Sequence, residues 1–399
     1  MEKEVNIVSR DFYPDNAAVA RISTELAQGL ATEFKVNVFA GNPFYYSNEK
    51  PKELQNPRIK IKRVWCPNFS KDRLVFRTIS EATFAANSFL KLLFSKNRPT
   101  IITSLPFSVQ VMALLLKKLR SQKFILINHE VMPELMAATK VLPKKSLLYR
   151  ILYYLSRKII DNSEFTVSIG CAMSELLRAK TKYPEKIRFI PNWANTKEVF
   201  PVPKEQNLFL KENRLQNRFV VSFSGNLGRY VDVETVLQAA RQLENHRDIV
   251  FVFIGGGQKK QTVADFIEKN KSKNILLFDY LPTEQINYSL SSGDIGLVLM
   301  GKGTKGVVVQ SKIYPLMAAG QPLIALTEEG NEIEKIINEA ENGLIVRPGD
   351  ANGLKNAVLK LKENSSMRKE FAKNSLKHIK KYDTNAVMKK YRSLVREVS

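Results

Sequence analysis

Glycine, asparagine and arginine follow a strand-like apolar run in the second half of the chain. After FVVSFS come Gly225, Asn226 and Gly228, then Arg229, with a helix expected to begin near Asp232. Glycine lets a ligand approach the backbone closely, a helix N-terminus attracts anions, and arginine binds phosphate oxygens in pairs. The segment therefore indicates a phosphate site. A plain strand-to-helix turn with a solvated arginine is an equal alternative.

Three consecutive glycines, Gly255, Gly256 and Gly257, end a second apolar run before another helix. Their position suits a ligand that lies against the backbone at the carboxyl end of a strand. The glycines do not have the GxGxxG spacing of dinucleotide sites, so a nicotinamide cofactor has little support. A tight turn without a ligand is the alternative.

The stretch GTKGVVVQSKIYPLMAAGQPLIAL, residues 303–326, has the most specific pattern. A loop leads to Ser311 and Lys312, and a helix and a buried strand follow. Ser311 is expected to cap the helix, which puts Lys312 in the first turn, where a cation opposes the helix dipole. A bound phosphate would offset that cost if Lys312 neutralises it. An ordinary surface lysine is the alternative.

Short apolar runs rich in valine and isoleucine alternate with helical patterns along the whole chain. Seven runs lie before residue 193 and six after residue 218. Buried parallel strands give such continuous runs, and the alternation indicates βαβ units. We therefore expect an α/β protein with two Rossmann-like, doubly wound domains that face each other across a cleft. The expected boundaries are residues 1–195 for a basic first domain, 196–216 for a linker, 217–380 for the second domain and 381–399 for a helix that could pack back on the first.

Composition and charge exclude several classes of protein. Of the 399 residues, 44% are hydrophobic and 25% charged, which is typical of a folded globular protein. Two cysteines cannot form a disulfide framework, and three histidines argue against a multi-histidine metal site. The net charge is +23, and residues 51–150 carry 19 basic and 5 acidic side chains, so the first domain should attract phosphates, anionic lipid or nucleic acid. No secretory signal or bilayer-spanning run is evident, so we expect a cytoplasmic protein.

Several segments resemble the retaining, nucleotide-sugar-dependent glycosyltransferases of family four. In the second half these are GNLG at 225–228, ETVLQAA at 234–240, SGDIGLVLM at 292–300 and the SKxY…AAGxP pattern at 311–322. PNWAN at 191–195, YPDNAAVAR at 13–21 and NPFYYSNEK at 42–50 are similar to the family's domain junction, first loop and aromatic loop. The resemblance is to bacterial polysaccharide enzymes of the colanic-acid and fucosamine transferase type, and it implies the GT-B fold.

On the matching positions, the resemblance implies a donor site in the second domain. Gly225, Asn226 and Gly228 would lie near the diphosphate, which Arg229 and Lys312 would neutralise. The glycines at 255–257 would shape that pocket. The other donor-side residues are Asp279, Tyr280 and Leu281 at the base, together with Lys305, Gln310 and Ser311.

The resemblance also implies that the first domain holds the acceptor. His129 and Glu130 would face the donor sugar, and the acceptor-side residues would be Asp15, Asn16 and Tyr45. A histidine satisfied at a strand end is the alternative for His129. Neither a metal nor a cofactor is expected, because lysine, arginine and helix dipoles can stabilise a leaving diphosphate.

The chain departs from the family pattern where two glutamates normally stand eight residues apart. The first contacts the transferring sugar and the second the ribose, but here the two positions hold Val307 and Pro315. Gln310 also replaces a common proline. These departures put ribose recognition and full activity in question.

Two segments of the first domain combine apolar faces with basic flanks. Residues 144–160 carry leucine and isoleucine at helical spacing beside lysine and arginine, and residues 74–98 form a second apolar stretch with basic ends. Such helices can lie on a bilayer surface, or they can pack on the sheet and leave only their charges outside. Either arrangement suits peripheral contact with anionic membrane. No specific nucleic-acid partner is expected, because no RRM, zinc-finger or arginine-rich signature is present.

The sequence therefore predicts a retaining glycosyltransferase that moves a sugar from a nucleotide diphosphate donor, UDP-linked by default, to a glycan or lipid-linked acceptor. Three alternatives stay open. The missing glutamates favour a non-catalytic glycosyltransferase-like subunit with weak nucleotide binding. A nucleotide-sugar epimerase of the same fold would form product without an acceptor. A basic membrane- or nucleic-acid-binding module would leave the glycine turns unexplained.

Overall fold

The computed structural model describes residues 3–15, 18–43, 54–67, 69 and 74–399. The chain divides into two compact units, Met1–Pro191 with Thr384–Ser399, and Asn192–Asp383. Residues 196–216, which the sequence marked as a linker, therefore belong to the second unit, and the last helix belongs to the first. Within the described ranges, no helix combines the length and the hydropathy that crossing a membrane requires.

The first unit is built on a seven-stranded parallel sheet with the order β3-β2-β1-β4-β5-β6-β7. The strands are β1 Glu4–Ser9, β2 Lys35–Gly41, β3 Ile59–Val64, β4 Thr100–Thr103, β5 Phe124–Asn128, β6 Phe165–Ser168 and β7 Ile187–Phe189. Ile7 of β1 pairs with Val38 on one side and with Ile101 on the other. Chain order reverses between β1 and β4, which makes their carboxyl ends the switch point where doubly wound sheets bind ligands.

Helices cover both faces of this sheet, which is why its central strands read as continuous apolar runs. The helices are α1 Ala18–Ala31, α2 Leu74–Leu93, α3 Phe107–Arg120, α4 Glu134–Ala138, α5 Leu147–Asn162 and α6 Cys171–Lys180, with a 3-10 turn at Pro184–Lys186. The last helix of the chain, Thr384–Val398, packs on α1. Arg396 on that helix forms a two-pronged ion pair with Glu33, at 2.5 and 2.6 Å.

The second unit has a six-stranded parallel sheet. Its elements are α7 Leu208–Glu212, β8 Phe219–Ser224, α8 Val233–Gln242, β9 Ile249–Ile254, α9 Lys260–Asn270, β10 Ile275–Phe278, α10 Ile286–Leu290, β11 Ile295–Leu299, α11 Ile313–Ala318, β12 Leu323–Leu326, α12 Glu332–Ala340, β13 Gly343–Val346, α13 Ala351–Glu363 and α14 Ser365–His378. The strand order is β10-β9-β8-β11-β12-β13, so the switch point lies between β8 and β11. The helix Thr384–Val398 of the first unit is α15.

The segment before β8 is packed rather than free. Asn207 caps α7 by accepting a hydrogen bond from the Leu210 N–H at 3.2 Å. Phe209, Leu210 and Leu215 are buried in a cluster with one face of β8 and β9. This stretch therefore packs with the second unit, and the sequence shows no helical period there because a five-residue helix is too short to give one.

Candidate functional site

Two glycine turns lie against each other at the carboxyl ends of β8 and β9. The Gly225 N–H donates to the Ile254 carbonyl at 2.8 Å, and the Leu227 N–H donates to the Gly256 carbonyl at 2.7 Å. Gly255 has a φ of +146°, and a Cβ there would lie 2.1 Å from the Gly225 carbonyl oxygen. Because no other residue fits this contact, the two turns form one joined platform of backbone.

Polar side chains border this platform. A Cβ on Gly257 would meet the Asn226 Oδ1 at 2.3 Å, so the glycine leaves room for that amide. Asn226 and Arg229 are exposed. The Arg229 Nε donates to the Gln258 Oε1 at 2.5 Å. The rim therefore offers exposed groups that could reach an anion on the platform.

The side-chain amine of Lys312 lies against the end of β8. Its Nζ is 3.3 Å from the centre of the Phe223 ring, and a Cβ on Gly225 would be 2.7 Å from it. That Nζ is buried and has no hydrogen-bond partner among the described residues. Burial lowers the pKa of Lys312 well below its ordinary value. A buried amine without a partner is costly, so an anion beside Gly225 would relieve it.

The start of α11 differs from the sequence expectation. Lys312 itself is the N-cap residue, with φ −64° and ψ −18°, and no side chain caps the helix. Ser311 contributes its backbone carbonyl, which accepts from the Tyr314 N–H at 3.2 Å. The expectation that Ser311 caps the helix was wrong, because α11 begins one residue later than the sequence suggests, after Lys312, and no side-chain oxygen accepts from its first-turn N–H groups.

The loop between β11 and α11 holds the positions of the two family glutamates. Val307 is buried and Pro315 lies inside α11, so neither position presents a carboxylate. Gln310 is also buried, and its Nε2 donates to the Leu299 carbonyl at 3.0 Å. Its amide nitrogen therefore fixes the loop to β11.

A glutamate that the sequence analysis missed organises the same loop. Glu328, which follows β12, accepts hydrogen bonds from the backbone N–H groups of Gly303, Thr304 and Lys305 at 3.0, 3.1 and 3.3 Å. The sequence shows only that Glu328 stands two residues after a buried strand, and its partners lie 23 to 25 residues earlier in the chain. Lys305, one of the predicted donor residues, is thus held through its backbone.

The residues after β10 form the third strand end beside the platform. The Gly255 N–H donates to the Phe278 carbonyl at 2.9 Å. Tyr280 lies over Gly256, where a Cβ would be 3.1 Å from its Cε2. Asp279 is exposed and forms an ion pair with Lys260, and Leu281 packs against the apolar cluster below.

In the first unit, the candidate residues follow β4 and β5. The Ser104 Oγ accepts from the backbone N–H groups of His129 and Glu130 at 3.0 and 3.3 Å. Burial lowers the pKa of His129 to about 4, and its Nε2 has no hydrogen-bond partner within the described part of the chain. Burial raises the pKa of Glu130 to about 7, while the Arg77 guanidinium partly opposes that rise. The pair thus favours a neutral imidazole beside a carboxyl that titrates near neutrality.

Charged groups from β1 and α2 complete this end of the sheet. Arg10 contacts Asp11 at 3.0 Å and donates to the Ser80 Oγ at 2.8 Å. Arg77 pairs with Glu81 at 2.8 Å. These polar groups lie at or near the carboxyl ends of the strands that flank the switch point. Of the predicted acceptor-side residues, Asp15 is buried after β1, and Asn16 and Tyr45 fall outside the described residues.

Two protein-family models match this chain, one in each half. Residues 204–378 match the family model "Glycosyl transferases group 1". Residues 19–198 match the family model "Glycosyltransferase Family 4".

Two curated relatives and one solved structure show how far the likeness extends. The "Probable glycosyltransferase WbjE" of Pseudomonas aeruginosa is 33% identical over 71% of this chain and 71% of its own. The "Putative colanic acid biosynthesis glycosyl transferase WcaI" of Escherichia coli is 22% identical over 92% and 94%. The crystal structure of Anabaena Alr3699/HepE in complex with UDP-glucose matches 99% of this chain and 98% of its own, at 12% identity and a TM-score of 0.73.

The two parallel sheets, their strand orders and the identity to WbjE agree with the resemblance stated from the sequence. The chain belongs to the family-four glycosyltransferases with a group 1 second domain, and it has the GT-B fold.

Proposed function

We propose that this glycosyltransferase acts in polysaccharide biosynthesis, where it moves a sugar from a UDP-linked donor to a glycan or lipid-linked acceptor with retention of configuration. The observation that carries the proposal is the buried Lys312 amine, which lies beside the joined glycine turns without a partner among the residues the structure describes. A diphosphate on those turns would supply the anion that the amine lacks.

The second unit performs the donor half of this reaction. Lys312, protonated when the diphosphate binds, stabilises the negative charge that develops as the bond to the sugar breaks. Arg229 lies on the exposed rim and adds a second cation. Asp279, Tyr280 and Leu281 lie at the strand end beside the platform, where the nucleoside would extend. Since these groups can carry the leaving charge, we propose that the step needs neither a metal nor a cofactor.

The first unit performs the acceptor half. His129 is neutral at physiological pH, because burial lowers its pKa to about 4, so its Nε2 can exchange a hydrogen bond with a sugar hydroxyl. Glu130, whose pKa burial raises to about 7, can accept or hold a proton there. Asp15, Asn16 and Tyr45 belong to the proposed acceptor side. We assign no protein nucleophile.

Two of the known proteins support the choice of donor and pathway. HepE of Anabaena was crystallised with UDP-glucose, and WcaI of E. coli carries colanic acid biosynthesis in its name. We also propose that the enzyme works on the cytoplasmic side of a membrane.

Isothermal titration with UDP, GDP and ADP tests the donor site. We expect one nucleotide, UDP, to bind with clear preference, and Lys312→Ala and Arg229→Ala to weaken it by at least about tenfold each, as loss of a charge-assisted contact implies. Lys273→Ala, an exposed lysine of the same unit, is the matched control. Equal binding by all variants would refute the assignment of Lys312 and Arg229.

A non-catalytic subunit is the second candidate, because Val307 and Pro315 replace the two family glutamates. It predicts that no sugar leaves the donor under any condition. Incubation of the protein with UDP-sugars and lipid-linked acceptors, followed by proton NMR, separates the two. Release of UDP together with an anomeric signal of unchanged configuration supports the retaining transferase. Intact donor in the presence of tight UDP binding supports the subunit.

A further inference from the structure

The helix layer formed by α2, α3 and α5 exposes many large apolar side chains. α3 packs against α2 on one side and α5 on the other. More than half of the large hydrophobic side chains that are exposed in the described residues lie on these three helices or directly after α2. Isolated exposed apolar residues are ordinary, whereas a contiguous set marks an interaction surface.

On α2 the exposed residues form one continuous stripe. Val75, Ile79 and Leu90 are exposed at helical spacing, Phe94 directly after the helix is 84% exposed, and exposed alanines at 82 and 86 fill the gap. The opposite face of the helix carries buried residues that pack on the unit. This helix therefore has apolar residues on the inside and also on the outside.

The other two helices continue the surface. Leu115 and Leu119, one turn apart on α3, are exposed. On α5, Leu147 and Ile151 are exposed at 71% and 48%, although the sequence left open whether this face packs on the sheet. The buried part of α5 is limited to its last turns, where Ile159 and Ile160 lie in the core.

The charge around this surface is almost all positive. Residues 74–162 carry fourteen lysines and arginines against four acidic residues. Of those acids, Glu81 and Glu134 are ion-paired, and Glu130 is withdrawn from water enough to raise its pKa to about 7. Lys144, Lys145 and Arg150 are exposed beside Leu147 and form no ion pair with any described residue.

We infer that the outer surface of α2, α3 and α5 binds the surface of an anionic lipid bilayer. Apolar side chains flanked by unpaired cations are the composition of interfacial helices, whose apolar residues enter the headgroup region while lysine and arginine reach lipid phosphates. A protein partner would need acidic groups to match the basic rim, and a second copy of this chain would bring the same positive charge against it. The inference rests on the proposed function in one respect only, which is that a lipid-linked acceptor would lie in the membrane that this surface binds.

Flotation of the full chain with vesicles tests this directly. We expect binding to phosphatidylcholine vesicles that contain phosphatidylglycerol, and much weaker binding to phosphatidylcholine alone. Lys144→Glu with Lys145→Glu should weaken binding by more than about tenfold, since each basic residue near an anionic surface contributes roughly 1 kcal/mol. Leu147→Ser with Ile151→Ser should remove the binding that persists at high salt, where charge is screened.

Matched controls come from the second unit. Lys269→Glu with Lys273→Glu makes the same change of net charge, and Leu208→Ser removes an exposed leucine. If these reduce vesicle binding as much as the surface variants do, the long-range field of the protein and not this surface is responsible, and the inference fails. Failure to bind anionic vesicles, or a stable dimer that Ile151→Ser dissociates, also overturns it. UDP titration without lipid is unaffected by any of these outcomes and tests the proposed function separately.

Discussion

The Lys312 Nζ lies 3.3 Å from the centre of the ring of Phe223, a residue of β8 that stands two positions before Gly225. The aromatic face is the only favourable partner that the described residues give this amine, because its nitrogen makes no hydrogen bond to them. A cation over a ring gains some attraction, but burial still lowers the pKa of Lys312. The side chain is therefore held in position at a cost that a bound anion would relieve.

Lys312→Met should stabilise the ligand-free protein and weaken nucleotide binding. Methionine retains the apolar contact with Phe223 but removes an amine whose burial without a hydrogen bond costs about 1–3 kcal/mol. We expect a higher denaturant midpoint together with at least about tenfold weaker UDP binding, the usual scale for one charged contact. Lys273→Met, at an exposed position, should change neither. A less stable Lys312→Met protein that still binds UDP contradicts this account.

Nucleotide binding should take up a proton through Lys312. In the free protein burial lowers the pKa of this amine, so the folded state binds fewer protons than the unfolded state and stability rises with pH between the two pKa values. A diphosphate next to the amine would raise its pKa again. UDP titrations in buffers of different ionisation enthalpy should reveal net proton uptake, which disappears in Lys312→Met. Proton uptake that is the same in both proteins points to another group.

Gly255→Ala should destabilise the second unit and disturb the platform. Gly255 has a φ of +146°, and the new methyl group would lie 2.1 Å from the Gly225 carbonyl oxygen. Backbone strain of this kind costs about 1–3 kcal/mol, and the steric contact adds to it. Gly228→Ala is the matched control, because its nearest neighbour would be at 3.4 Å, an ordinary contact. Equal denaturant midpoints for the two variants would contradict this prediction.

Much of the fold could be predicted from the sequence, because buried parallel strands leave continuous apolar runs. Each of the thirteen strands in the described ranges coincides with one of the runs that the sequence marks, although β1 begins one residue earlier, and Asp232 caps α8 where the helix was expected to begin. The site was less predictable. Glu328 acts on the loop at 303–305 from 23 to 25 residues away in sequence, and no local pattern reports such a contact. Short helices such as α7 also escape detection, since five residues complete little more than one turn.

Glu328→Ala should release the loop between β11 and α11. The substitution leaves the N–H groups of Gly303, Thr304 and Lys305 without their acceptor. We expect faster amide hydrogen exchange at 303–305 and a UDP affinity lower by up to about tenfold, the scale of losing one or two such hydrogen bonds. Glu329→Ala, at the exposed neighbour, should leave both unchanged. If exchange is unchanged in Glu328→Ala, the carboxylate does not hold the loop.

The His129 and Glu130 side chains should act on stability in opposite directions over the same range of pH. Burial lowers the pKa of His129 from 6.5 to about 4, so its contribution is present above about 6.5 and is lost as pH falls toward 4. Burial raises the pKa of Glu130 from 4.5 to about 7, so its contribution is present below about 4.5 and is lost as pH rises through 7. Between pH 4.5 and 6.5 the two effects on the free energy of unfolding therefore largely cancel when both residues are present.

Single substitutions should reveal the pH dependence of stability that each residue contributes. In Glu130→Gln only His129 still titrates, so the free energy of unfolding should rise with pH between 4.5 and 6.5. In His129→Asn only Glu130 still titrates, so the free energy of unfolding should fall across that range. Each change amounts to at most about 1.4 kcal/mol per pH unit. Denaturation midpoints across this range, compared with those of the exposed control His246→Asn, measure the difference. The two residues follow one another after β5, and the Ser104 Oγ accepts from both of their backbone N–H groups. If the free energy of unfolding changes with pH in the same direction in both variants, neither side chain is as withdrawn from water as its burial implies.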